Sequence, residues 1–256
     1  MSTPDASESG GDRKIRLSRL RRRIAQNVTE SRRTAAHVWT SVEVDYEALE
    51  QVRQRHRTGF REREGFSLTY LPFVALATID ALAAFPEVNS QVDFDEGAQT
   101  LHEHVNLGIA VDLDRAGLIV VVVADAGSLT LAGLARRINE LAGKARSGGL
   151  RPTDVTGSTF TITNPGSFGS FMSAPIINLP NAAILATDGV AKRPTVVAGP
   201  GGGDSVAVHH IGHLGLSWDH RAFDGSSAAL FLGQIRQNIQ TWDWERHLAG
   251  ADGQES

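Results

Sequence analysis

The 256-residue chain contains no cysteine, so disulfides, thiolate metal sites and cysteine nucleophiles are excluded. Any thiol that reacts here must arrive with a substrate. Long apolar runs are missing too: stretches such as Leu118 to Ala124 are far too short to cross a bilayer. Met1 to Asp12, rich in Ser, Gly and acid, lacks the apolar segment of a secretory signal. No membrane association is expected, and the cytoplasm is the default location. Charge of one sign is also scarce. The formal net charge of -4 gives no overall grip on nucleic acid, so none is expected as a partner.

What is present suits a globular protein. Hydrophobic residues make up 41% and charged residues 21%, and a chain of this length can bury roughly three quarters of its unfolded surface. Residues 1–12 read as a disordered tail or linker remnant, 13–245 as one folded unit without internal repeat, and 246–256 as a flexible C-terminal tail. Arg13 to Arg33 is strongly basic, with Ile15, Leu20, Ile24 and Val28 near helical spacing. An anion-binding helix competes there with a solvated or subunit-facing one, and the lack of a matching basic field elsewhere favours the second.

Further along, Val38 to Asp45 alternates as a half-buried strand, and Asp45 is expected to cap a helix ending near Arg57, before a polar break from Arg55 to Gly65. Leu68 to Phe85 reads as a core helix, with Pro72 in its first turn and Pro86 past its end. Val92 to Phe94, Val105 to Leu113 and Leu118 to Ala124 read as strands, and Leu129 to Ala145 as a helix stopped by Gly148 and Gly149. Ser158 to Thr163 is a strand running into the glycine-rich Asn164 to Ser170, which matches neither the Walker pattern nor GxGxxG. Ala183 to Thr187, Thr195 to Ala198 and Val206 to Trp218 are further strands. A last helix follows, with Ser226 and Ser227 offering cap hydroxyls and Ala229, Leu230, Leu232, Ile235 and Ile239 on one face. Strands and helices mix irregularly. The pattern predicts an α+β fold around a large mixed β-sheet.

Several constellations could carry chemistry. Asp112 and Asp114 flank Leu113 in what reads as a hairpin turn, and turn chemistry accounts for both. His209, His210 and His213 share a strand, where His210 points away from the other two, so three convergent metal ligands are not expected. His220 stands where a strand hands over to a helix, four residues before Asp224, a spacing open to either a catalytic pair or plain structural roles. Thr163 ends its strand on the face opposite Phe160 and Ile162, where a solvent-facing hydroxyl is the simple reading.

His220-Arg221-Ala222-Phe223-Asp224-Gly225, preceded by Ser217-Trp218-Asp219, carries an HxxxDG signature. Gly157 to Asn164, Pro175-Ile176-Ile177-Asn178, Ala183-Ile184-Leu185-Ala186, Lys192-Arg193-Pro194, Pro86-Glu87-Val88-Asn89 and Arg21-Arg22-Arg23-Ile24-Ala25 accompany it in order. Together these resemble the catalytic domain of the dihydrolipoamide acyltransferases, the E2 components of 2-oxoacid dehydrogenase complexes, over about residues 13–245. The resemblance implies a chloramphenicol-acetyltransferase-like two-layer sandwich. It implies homotrimers that associate into cubic or icosahedral cores, and lipoyl domains, E1 and E3 as partners. It also implies a site between subunits that takes coenzyme A and dihydrolipoamide as substrates, the lipoyl group being carried on another domain or chain, with no metal.

Carried over by motif, His220 is the general base, and Thr163 of the adjacent subunit takes the place of the family's Ser or Thr. The resemblance gives Asp224 an ion pair with an arginine, either Arg221 or one of the Arg13 to Arg33 helix. A neutral imidazole with pKa near 6.5 can deprotonate a thiol with pKa near 8.5, and no covalent acyl-enzyme is needed. No stretch reads as a lipoyl or peripheral-subunit-binding domain, so the chain is either a core fragment starting in a linker or a free-standing protein served by lipoyl domains on another chain, and Asn164-Pro165-Gly166 stands where Ser-Asn-Leu-Gly or Ser-Ser-Leu-Gly is more frequent in the family. A stand-alone O-acetyltransferase and a noncatalytic scaffold are the competing readings. Acetyl, succinyl and branched-chain acyl stay open, although the loop from Thr163 to Asn178 looks somewhat like that of succinyl-transferring relatives.

Overall fold

The structure is a computed structural model describing residues 15–114, 117–199 and 201–249. Its central sheet has seven strands. Six run in the order β1 (His37–Asp45), β9 (Asp204–Asp219), β7 (Ala183–Thr187), β6 (Phe160–Thr163), β4 (Leu107–Asp112) and β5 (Leu118–Val123). The seventh, β8 (Ala191–Ala198), pairs only with the first half of β9, and β2 (Ser90–Asp93) forms a separate hairpin with β3 (Ala98–Leu101). β6 runs parallel to both β4 and β7, whereas the other pairings in the large sheet are antiparallel, so the sheet is mixed. This is the α+β architecture expected from the sequence.

Alternation along the strands sorts the two faces. Phe160, Ile162, Leu185, Leu214, Leu216 and Trp218 join one core with α2 (Glu47–Glu64), α3 (Leu71–Ala84), α4 (Leu131–Ser147), α5 (Gly225–Thr241) and α6 (Trp244–Ala249). Phe231 of α5 is fully buried edge-on to Phe160 and Phe85, locking helix layer to sheet. The opposite face carries Thr161, Gly215 and Ser217 and is covered by the segment 170–181. A small cluster of Ala35, Ile177 and Ile184 packs there. Thr161 is fully buried, donating to Asn181 Oδ1 at 2.6 Å. The solvent-facing reading of this strand face therefore fails, because the 170–181 segment supplies the second cover.

Several boundaries differ from expectation. α2 continues through the supposed polar break because Phe60, fully buried against Phe66, keeps an inward stripe among Arg, Gln and Glu. It ends at Gly65, whose φ of 78° suits glycine. β3 had no apolar alternation to reveal it; all four of its residues are exposed. β8 begins at Ala191 and tolerates Pro194 because it is an edge strand. α5 starts at Gly225 with Asp224 at the cap position, making no side-chain cap bond, so neither Ser226 nor Ser227 is the cap. α6 carries the fold past the boundary expected at 245, seated by buried Trp244 and Leu248, so residues 246–249 are helical. The tails expected at 1–12 and from residue 250 onward lie outside the described residues. Helix α1 (Arg19–Thr34) is capped by Ser18, whose Oγ accepts from Arg21 N. No described helix is long and apolar enough to cross a membrane.

One buried carboxylate ties α2 to α3. Glu50 accepts from Arg53 Nε at 2.6 Å, Tyr70 Oη at 2.6 Å and Gln54 Nε2 at 2.5 Å, while Arg53 Nη1 donates to Leu68 O. Burial pushes Glu50 up, but these donors and the Arg53 charge outweigh it and bring it down to about 2. Because the folded pKa lies below the unfolded value of 4.5, the stabilisation is complete above pH 4.5 and is lost as pH falls towards 2. Glu50→Gln should flatten the pH dependence of the unfolding free energy across that window in denaturant titrations; an unchanged acid slope would contradict this role.

Candidate active site

Two stretches carry the residues singled out by their chemistry, and the sheet register sets their positions. His220 follows the last residue of β9 and precedes α5. Its backbone N–H donates to Ala36 O at 2.9 Å, and the turn closes through Ala222 N donating to Asp219 O. Trp218 holds the junction from the core side, its indole Nε1 donating to Phe223 O at 3.0 Å and its ring nearly parallel to that of Phe223. The imidazole itself is 46% exposed, with its ring centroid 6.0 Å from that of Trp218. A rigid backbone thus presents an accessible ring.

Asp224 does not make the expected arginine pair among the described residues. In the single chain its side chain is 84% exposed and lies 3.9 Å from His220 Nδ1, beyond hydrogen-bond range. Arg221 turns instead to Asp219, with Nη2 at 2.7 Å from Oδ2 and Nε at 3.0 Å from Oδ1. Asp219 also accepts the backbone N–H groups of Ala36 and Arg221. Burial pushes this carboxyl up, and the Arg221 and backbone donors more than reverse it, holding it below the usual carboxylate value. Motif reasoning passed over Asp219; the available signal was an acid immediately before the histidine at the end of an apolar strand.

Thr163 closes β6 and is half-buried. The loop after it is packed tightly: a Cβ on Gly166 would lie 2.4 Å from the Asp188 carbonyl carbon. Asp188, buried, accepts from Ser170 Oγ at 2.6 Å, Ser173 Oγ at 2.7 Å and Ser173 N at 3.1 Å. This second aspartate, also unmarked by any motif, fixes the loop that leaves Thr163.

The two halves stand apart within one chain. Thr163 lies opposite Ala186, and Ala186 opposite Gly215. From Gly215, His220 is five residues further along the chain, towards the edge at which β6 begins. Two strand spacings and five residues place the Cα atoms about 20 Å apart. One chain cannot bring both side chains to one substrate atom. Two surface hollows, of 800 Å³ beside α3 and Trp242 and 550 Å³ beside β8 and α5, include neither residue in their lining.

The remaining candidates are structural. His209 Nδ1 lies 2.5 Å from Asp45 Oδ2, and His210 Nδ1 lies 2.7 Å from Glu47 Oε2. His213 packs tilted against Phe171, with ring centroids 4.7 Å apart and planes at 56°. Each histidine thus has its own partner, and no group of three or more His, Asp or Glu suited to a metal occurs among the described residues. Asp114 sits at φ 50°, and Leu113 N donates to Gly117 O. Arg115 and Ala116 lie outside the described residues.

The family model for the 2-oxoacid dehydrogenases acyltransferase catalytic domain matches residues 9–247. The chain belongs to this family. It is 41% identical over 233 residues to the acetyltransferase component of the pyruvate dehydrogenase complex of Mycobacterium tuberculosis, matching 91% of this chain and 42% of the relative. It is 35% identical over 229 residues to the succinyltransferase component of the 2-oxoglutarate dehydrogenase complex of Escherichia coli K12, matching 90% of this chain and 55% of that one. The chain thus spans about half the length of these curated relatives.

The cubic core of a pyruvate dehydrogenase multienzyme complex, 29% identical, superposes with a TM-score of 0.85 over 97% of this chain and 98% of its own. A chloramphenicol acetyltransferase, 12% identical, superposes with a TM-score of 0.50 over 84% of this chain and 94% of its own, and speaks for the fold alone. Within this family fold the Thr163 loop has no slack at Gly166. Gly166→Ala should lower stability by about 1–3 kcal/mol through forced backbone displacement, measured by urea denaturation; a loss below 0.5 kcal/mol would show that the loop yields freely.

Proposed function

We propose that the chain moves an acyl group between the thiols of dihydrolipoamide and coenzyme A, at a site made from His220 of one copy and Thr163 of a neighbour. The observation that carries this reading is the separation of the two residues to opposite strand ends of the sheet, each on a rigid mount. Exposure of the His220 ring, the half-buried Thr163 at the end of β6, and family membership all support it. The reading extends to a homotrimer and to its packing into a larger cubic or icosahedral core, served by lipoyl domains and by E1 and E3 components.

The chemistry follows from the residue types. The imidazole of His220 takes the proton from a substrate S–H, and the resulting thiolate attacks the thioester carbonyl carbon. Negative charge gathers on the carbonyl oxygen, to which the Thr163 hydroxyl of the neighbouring copy donates a hydrogen bond. The bond from carbon to the departing sulfur then breaks, and the imidazolium returns its proton to that sulfur. One thioester is lost and one is formed, with no change of oxidation state. Asp224 lies beside His220 on the same turn, and its partner would come from the neighbouring copy. The acyl group is acetyl, succinyl or branched-chain; relatives of all three kinds lie between 35% and 41% identity.

Transfer from acyl-coenzyme A to dihydrolipoamide tests the proposal directly. His220→Ala should lower kcat by about 10²–10⁴-fold and Thr163→Ala by about 10²–10³-fold, with folding intact. Activity confined to alcohol acceptors, or unchanged thiol transfer in His220→Ala, would overturn it.

A further inference from the structure

The base in this reaction must be held still by something, and within one chain Asp224 makes no hydrogen bond to His220, lying 3.9 Å from its Nδ1. The geometry points to Asp219 and Arg221 as a positioning pair that clamps the His220 backbone from both sides. This inference rests on the reading of His220 as the base.

Asp219 is a charged residue only 4% exposed, and such a group is retained only where its oxygens are fully engaged. Here Oδ1 accepts from Ala36 N at 3.1 Å, from Arg221 N at 3.0 Å and from Arg221 Nε at 3.0 Å, while Oδ2 accepts from Arg221 Nη2 at 2.7 Å. Residue 36 is therefore gripped twice. Its N–H goes to the Asp219 carboxylate, and its carbonyl accepts the N–H of His220 at 2.9 Å. These two bonds tie the His220 backbone to the segment joining α1 to β1. The other flank is held as well, since Arg221 meets Asp219 through a planar fork, and its guanidinium lies 5.3 Å from the centroid of Phe94 in the β2–β3 hairpin. Residues on both sides of His220 are thereby fixed while the ring stays free to meet substrate.

A clamp of this kind acts on the rate constant more than on binding, because it sets the approach of the nitrogen to the proton it removes. Asp219→Asn keeps the side-chain volume and the acceptor for Ala36 but removes the charge that holds the Arg221 fork. Its kcat in the acyl-coenzyme A to dihydrolipoamide assay should fall by about 10–100-fold, with KM for both substrates within about threefold of wild type. Arg221→Ala should show the same split, Arg221→Lys should recover a substantial part of the lost kcat, and the double variant Asp219→Asn/Arg221→Ala should be no slower than the worse single one, as expected of two residues acting as a unit. Asp219→Asn should lower the thermal midpoint by a few degrees at most, because its amide meets the Arg221 donors, while the chain stays folded at the assay temperature with wild-type solution mass. A kcat within twofold of wild type, a loss confined to KM, or a loss explained by unfolding or dissociation would each overturn the assignment. His220→Ala in the same assay separates the two claims: full activity there removes the base, and the clamp with it, whereas an inactive His220→Ala beside a fully active Asp219→Asn removes the clamp alone.

Discussion

The pairing of Thr163 with Ala186 and of Ala186 with Gly215 is the constraint on which the rest depends. Hydrogen bonds of parallel and antiparallel ladders fix that register, and a slip of one residue would turn Phe160, Ile162, Leu214 and Leu216 out of the core. The core therefore enforces the register, and the register in turn holds the Thr163 hydroxyl and the His220 imidazole near opposite strand ends of one sheet. A fold this tightly specified has no internal motion that could close a gap of about 20 Å without dismantling the sheet. Complementation by a second copy is the physical way to make one site from these two residues.

Each half of the proposed site is mounted on a buried aspartate. Asp188 takes two serine hydroxyls and a backbone amide, and so shapes the loop beyond Thr163. Asp219 takes two backbone amides and a guanidinium, and so shapes the turn around His220. Both solve the same problem. Irregular backbone near a sheet edge exposes polar groups that regular ladders would satisfy, and an ionised carboxylate with several acceptor sites can collect them from several directions at once. The cost of burying the charge is offset by the number and strength of its partners.

The sequence revealed these features unevenly. Most strands of the large sheet and the core helix around Leu68 to Phe85 were legible from their density of apolar residues, although β9 alternates only roughly and the start of β8 at Ala191 was not seen. β3, with four exposed residues, was not, and α2 ran through a charged stretch whose single inward anchor, Phe60, is easily overlooked. The HxxxDG pattern drew attention to Asp224 and away from Asp219, although burial assigns the ion pair to the latter. Spacing along the chain says nothing about which carboxylate faces the core. The distance between Thr163 and His220 likewise depends on strand order, which no local pattern encodes.

The most direct test of the shared site is to co-assemble two inactive chains, one carrying Thr163→Ala and the other His220→Ala. If the site draws His220 and Thr163 from different copies, random mixing pairs an intact His220 with an intact Thr163 at about a quarter of the interfaces of a cyclic assembly. Transfer from acyl-coenzyme A to dihydrolipoamide should then return to about a quarter of the wild-type rate. Mixed assemblies no more active than the two parents would contradict a site formed across chains.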